Sequence, residues 1–121
     1  MVQTFKKSDY IHTLDWLIAY FPNAFSKKTK EIKPLKIGIL DDIYAFHNCL
    51  KYPEVSKDDI KMAIKHYSNS HSYLVCQQEH VARIDLDGNE VDVVTPEQAK
   101  YALQRYTQKH AVKEQKPLTN N

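Results

Sequence analysis

The sequence predicts an α+β domain, predominantly helical, with about five helices and one β-hairpin. Three observations carry this. Apolar residues recur at helical spacing in several separate stretches. One pair of alternating runs flanks an Asp-Gly turn. A chain of 121 residues makes one ordinary domain. With 42% hydrophobic and 26% charged residues, the composition is that of a globular protein and not of a disordered one. No run of about 18 apolar residues occurs, so no membrane span is expected. Residues 1–7 are not followed by an apolar stretch, so no secretory signal is expected, and the expected location is cytoplasmic. Two cysteines, Cys49 and Cys76, cannot build a disulfide framework.

The first helix follows from Tyr10, Ile11, Leu14, Leu17, Ile18 and Phe21, with Ser8 or Asp9 as its cap and Pro22 as its stop. Residues 26–33 carry four lysines and read as an exposed loop. A second helix is expected to open at Pro34 and to bury Leu35, Ile39, Ile43, Phe46 and Leu50. Gly38 inside that stretch suggests close packing against a neighbour, since Gly costs about 1 kcal/mol relative to Ala in a helix. Asp41 and Asp42 suit the positive end of the helix dipole and a lysine partner. Tyr52-Pro53 breaks the chain. Ser56, with Asp59 three positions on, starts a third helix that buries Ile60, Ala63, Ile64 and Tyr67. Residues 71–77 suit a short helix or turn. Ala82–Leu86 and Glu90–Val93 alternate around Asp87-Gly88-Asn89 and form the hairpin. Thr95, Pro96 and Gln98 open the last helix as cap, first residue and capping-box partner, with Ala99, Ala102, Leu103 and Tyr106 facing inward. The chain is polar and aperiodic after about Ala111. The expected layout is a flexible segment at 1–7, a domain at 8–111 and a flexible tail at 112–121.

Charge is unevenly spread. Residues 26–66 carry nine lysines against six acids, while residues 84–97 carry five acids and no base. Such polarity can steer a polyanion to one face. Taken alone it favours the plainer reading, in which lysines solvate helices. No catalytic pattern accompanies it. The six histidines lack zincin spacing, the cysteines lack Cys partners at two or three residues, and two glycines cannot make a phosphate loop. No enzyme, metal or cofactor is expected. The basic and aromatic residues say more. Lys57, Lys61 and Lys65 share one helix face, and Lys57 sits at a helix N-terminus that favours phosphate. Tyrosine can stack a base and hydrogen-bond a phosphate or ribose. Tyr67 reads as core, and Tyr73 is balanced between core and contact.

Phe21-Pro-Asn-Ala-Phe25-Ser26, Pro34-Leu-Lys36-Ile-Gly38-Ile39 with Asp42, Ser56-Lys57, Tyr67-Ser68, Tyr73-Leu74 and Arg83-Ile-Asp-Leu-Asp-Gly-Asn89 together resemble the ProQ/FinO domain of bacterial RNA chaperones. The resemblance covers about residues 8–110. It implies a compact helical domain with a hairpin that binds structured RNA. The implied targets are small-RNA 3′ ends, with a terminator hairpin and U tail, and mRNA 3′ untranslated regions. Roles in RNA stabilisation and post-transcriptional regulation follow. By position, Tyr73 and Arg83 match the pocket for the terminal 3′ nucleotides, Ser56 and Lys57 the helix N-terminus that meets the stem, and Lys36, Lys61 and Lys65 the basic face. The sequence departs from the family's best-known member at Ser72 and Gln78, which stand in place of Arg and Lys. No long basic extension is expected. A monomer that does not touch membranes is expected. The rival reading is a protein-interaction module, docking through the acidic hairpin without RNA contact.

Overall fold

The computed structural model of the chain describes residues 5–119, with side chains as far as Lys109. Its elements run α1 (Lys7–Tyr20), a single 3-10 turn (Thr29–Glu31), α2 (Ile39–Asn48), α3 (Lys57–Ser68), α4 (His71–Cys76), β1 (Ala82–Ile84), β2 (Glu90–Val93) and α5 (Pro96–Thr119). The predominantly helical α+β class and the five-helix, one-hairpin composition are as expected.

Helix α1 buries Thr13, Leu14, Trp16 and Leu17. Its cap is Lys6, not Ser8 or Asp9: the Asp9 carboxylate accepts the Lys6 N–H at 2.8 Å, which places Asp9 inside the first turn. Ile11, expected on the buried face, is exposed. Helix α3 packs on both α1 and α2. Tyr67 is core, 2% exposed, and its hydroxyl accepts the Ser26 N–H at 3.2 Å. Burial raises the Tyr67 pKa to about 12.

The second helix opens at Ile39, five residues later than Pro34. The reason is non-local. Pro34–Lys36 run extended beside β1, with Ile84 N–H donating to Pro34 C=O at 2.9 Å and Lys36 N–H donating to Ile84 C=O at 2.8 Å. Gly38 then turns the chain into α2 with φ +85°, a conformation that L side chains rarely adopt. The expected close packing at Gly38 is absent: a Cβ there would meet nothing within 4 Å.

Strands β1 and β2 are antiparallel, pairing Ala82 with Val93, Arg83 with Asp92, and Ile84 with Glu90 across an irregularity between Arg83 and Ile84. The first strand ends two residues short of Leu86, because Asp85 leaves the ladder to organise the loop. Its carboxylate accepts the N–H groups of Asp87 and Asn89 at 3.0 and 2.9 Å. Gly88 has φ +87°, as the turn requires. Helix α5 begins with the expected box: Gln98 N–H donates to Thr95 Oγ1 at 3.2 Å, and Thr95 N–H donates to Gln98 Oε1 at 3.0 Å. Ala102 is buried, but Leu103, expected to face inward, is 66% exposed beside α4. The backbone of α5 continues to Thr119, into the segment expected as the tail. Of the two terminal segments expected to be flexible, residues 1–4 and 120–121, and the side chains of 110–119, lie outside the described residues.

Candidate functional site

A pocket of about 490 Å³ is lined among others by Leu35, Lys36, Ile64, Ser68, Tyr73, Gln77, Arg83, Gln98 and Tyr101. Ser70 caps the short helix α4, accepting the Tyr73 N–H at 3.3 Å, and this turn carries Tyr73 inward. Tyr73 is 4% exposed. Its hydroxyl oxygen accepts the Leu35 N–H at 2.9 Å, which ties α4 to the extended Pro34–Lys36 segment. Burial pushes the Tyr73 pKa up, opposed by the Leu35 bond and the nearby Arg83 charge. Tyr73 is therefore a core residue and a pocket wall at once.

Arg83 comes from β1 and is 3% exposed. Its Nη1 donates to Leu35 C=O at 2.9 Å; its Nη2 donates to Gln77 Oε1 at 2.8 Å and to Gln98 Oε1 at 3.1 Å. All these acceptors are neutral. Among the described residues no carboxylate pairs with Arg83, although the surrounding hairpin is acidic. Its Nε is buried without a partner. A buried guanidinium with neutral acceptors and an idle donor is an uncompensated charge, which is costly unless an anion completes it. Glu97 at the pocket lining is exposed and does not reach it.

Lys36 also lines this pocket. Its ammonium pairs with Asp42 at 2.7 Å, and that carboxylate raises the Lys36 pKa, keeping the side chain charged. The expected role of Asp42 as a lysine partner is met.

The other four predicted residues lie along α3. Ser56 and Asp59 form a reciprocal capping box, Asp59 N–H to Ser56 Oγ at 3.0 Å and Ser56 N–H to Asp59 Oδ2 at 3.2 Å. Helix geometry leaves the Lys57 and Asp58 N–H groups without an internal acceptor. Lys57, Lys61 and Lys65 are exposed. The Lys57 ammonium sits 5.6 Å from the centre of the Tyr44 ring, a cation–π contact that holds it near the helix start. At 3.6 residues per turn, Lys57, Lys61, Ile64 and Ser68 fall within about 60° around the helix. Ile64 and Ser68 line the pocket, so the stripe runs from the α3 N-terminus to the pocket over roughly 16 Å. Tyr73, Arg83 and Lys36 thus share one pocket, and Ser56 and Lys57 stand at the far end of the stripe that leads to it.

Three contributors are invisible in the sequence reading. Gln77 and Gln98 hold Arg83, and Gln98 reads locally only as a cap partner. Tyr101 lines the pocket with 66% of its surface exposed. Its signal is an aromatic displaced from the Ala99–Ala102–Tyr106 stripe.

Comparison with known proteins matches the ProQ/FINO family model over residues 8–118. The RNA chaperone ProQ of Idiomarina loihiensis is 35% identical over 106 residues, which are 87% of this chain and 50% of that protein. The RNA chaperone ProQ of Alteromonas mediterranea is 36% identical over 96 residues, 79% of this chain and 42% of that one. The chain thus spans about half the length of these relatives. A ProQ homolog from Legionella pneumophila, solved by NMR, superposes with a TM-score of 0.75 at 51% identity, covering 91% of this chain and 90% of that one. A FinO-like RNA chaperone from Neisseria meningitidis superposes with a TM-score of 0.62 over 86% of each chain; at 23% identity it speaks for the fold alone.

Proposed function

The chain belongs to the ProQ/FINO family, and from that membership we propose that it is an RNA-binding chaperone that works by binding alone. In this reading the free 3′ end of a terminator hairpin and its U tail enters the Tyr73–Arg83 pocket. The stem backbone lies along Ser56, Lys57, Lys61 and Lys65, with Lys36 at the pocket. Small RNAs are the main targets, protected and presented for post-transcriptional regulation in the cytoplasm, and mRNA 3′ untranslated regions are further ones. The protein acts as a monomer. No helix among the described residues is long and apolar enough to cross a membrane. An A-form stem hides its bases in a deep groove, so recognition must rest on backbone, shape and the free end.

The observation that carries the reading is the buried Arg83, charged, held by neutral acceptors and with an idle Nε. A terminal phosphodiester supplies the missing anion, and a guanidinium is the natural fork for it. The test compares one hairpin RNA with a free 3′ hydroxyl and a U tail against the same RNA ending in a 3′ phosphate or extended by several non-U nucleotides. The free end should bind much more tightly. Arg83→Ala should cost about 1–3 kcal/mol of binding and erase most of the preference. Equal binding of free and blocked ends by the wild-type protein refutes the pocket, and no RNA binding at all refutes the function.

A further inference from the structure

A second concavity, of about 310 Å³, lies on the other side of the lysine ridge, lined by Met62, Lys65, His66, Asn69, Arg105 and Lys109. Among the described residues no carboxylate lines it. Its walls come from the C-terminal half of α3 and the middle of α5, and it shares no lining residue with the Tyr73–Arg83 pocket. Asn69, the C-cap of α3, organises it. Its Oδ1 accepts the Arg105 Nε–H at 3.0 Å, and its main-chain carbonyl accepts Lys109 Nζ at 2.6 Å. The guanidinium is thereby fixed through Nε alone, and among the described residues no hydrogen bond or ion pair occupies its two Nη groups. Two donors of a planar fork are left on a held side chain, beside the exposed ammonium of Lys65.

Position makes this more than a cation pair at a helix end. Lys57, Lys61, Lys65 and Asn69 form one i+4 ridge along α3, and Asn69 hands that ridge to Arg105 and Lys109. The basic track therefore continues over the end of α3 onto α5 instead of stopping at Lys65.

We infer that this groove is a second phosphate-contact site, for RNA backbone outside the 3′-terminal nucleotides, with Arg105, Lys109 and Lys65 as its contacts. The inference rests on the RNA-binding reading above. A purely structural role predicts that Arg105 and Lys109 only satisfy the end of α3. The two roles make different demands: the structural one needs hydrogen-bond donors, the RNA one needs charge.

The test uses the full chain carrying Arg105→Gln and Lys109→Gln together, since glutamine can still donate to Asn69 but carries no charge. Binding is measured against ionic strength with two RNAs: a hairpin with its U tail, and a short U-tail oligonucleotide ending in the same 3′ hydroxyl. The hairpin should lose about tenfold or more in affinity, and its log–log salt slope should flatten by roughly 0.7–0.9 per lost contact. The oligonucleotide should bind as before, and the preference for a free 3′ end should persist. An unchanged hairpin affinity and slope overturn the inference while leaving the proposed function standing. Equal losses for both RNAs with a lowered melting temperature also overturn it, in favour of the structural role. The charge reversal Arg105→Glu is the second variant: a melting temperature like wild type with a larger hairpin-only loss supports the site, and wild-type hairpin affinity rejects it.

Discussion

The Oε1 atom of Gln98 accepts both the Thr95 N–H at 3.0 Å and the Arg83 Nη2 at 3.1 Å. One atom thus closes the capping box of α5 and holds the guanidinium in the pocket. The two duties separate on changing charge. Glutamate serves as well as glutamine in a capping box, so Gln98→Glu should melt at the wild-type temperature or above. The new carboxylate, however, neutralises Arg83. Affinity for an RNA with a free 3′ end should then fall about tenfold or more, a cost of roughly 1.5–3 kcal/mol for a charge-assisted contact. Thermal melts and binding curves on the same preparation check this; a folded variant that binds RNA as wild type would remove Arg83 from recognition. Tyr73 asks a different question. Tyr73→Phe keeps the ring but leaves the buried Leu35 N–H unpartnered, so it should lower stability by about 1–3 kcal/mol in denaturant titration. The family resemblance put Tyr73 and Arg83 in one pocket, and both line it, but what holds them there was not legible. The bonds of both to Leu35 span 38 and 48 positions, and no local pattern encodes them.

Elements whose start signals are local are placed well by sequence. Ser56 with Asp59 and Thr95 with Gln98 are boxes closed within three residues, and both stand where the residues put them. Helix α2 is the contrary case, because Pro34–Lys36 answer to Ile84, which no window around Pro34 contains. Gly38 and Gly88 show the same contrast. Both have positive φ, +85° and +87°. A methyl at Gly38 meets open space, whereas one at Gly88 would lie 2.8 Å from the Asn23 Cβ and 3.2 Å from the Asn23 carbonyl. Gly38→Ala should therefore cost only the backbone penalty, about 1 kcal/mol. Gly88→Ala should cost clearly more, about 2–4 kcal/mol, since the loop must also move off Asn23. Replacing Asn23 by Gly removes the clashing Cβ, and Gly88→Ala in that background should shrink toward the Gly38→Ala value. A double-mutant cycle by chemical denaturation measures the difference, and equal costs in both backgrounds would mean that φ alone matters at Gly88.

Across the whole molecule, the segregation of charge was legible from the sequence, but the route by which it reaches the pocket was not. The lysine stripe gains meaning only because Ile64 and Ser68 continue it into the cavity where β1 and α5 meet. The core beneath that surface has its own consequence. Tyr67, Tyr73 and Cys76 lie together in it, with the rings of the two tyrosines 5.8 Å apart. Burial raises all three pKa values: Tyr67 to about 12, Cys76 from 9.0 to about 11, and Tyr73 upward from 10.0. In the unfolded chain these groups lose their protons near their ordinary values, while the folded state still holds them. Between those limits the native state binds more protons, so stability falls as pH rises. The protein should be insensitive to pH through these groups below about pH 8.5, lose stability from about pH 9 as the Cys76 thiol of the unfolded chain ionises, and lose it faster above pH 10. A shift of two units at Tyr67 corresponds at most to about 2.7 kcal/mol, and residual screening leaves roughly 1–2 kcal/mol. Denaturant titrations from pH 7 to 11 check the slope. Tyr67→Phe should start from a lower stability, having lost the Ser26 bond, but decline less steeply above pH 10. A wild-type stability that stays level or rises from pH 9 to 11 would contradict burial of these groups in their neutral forms.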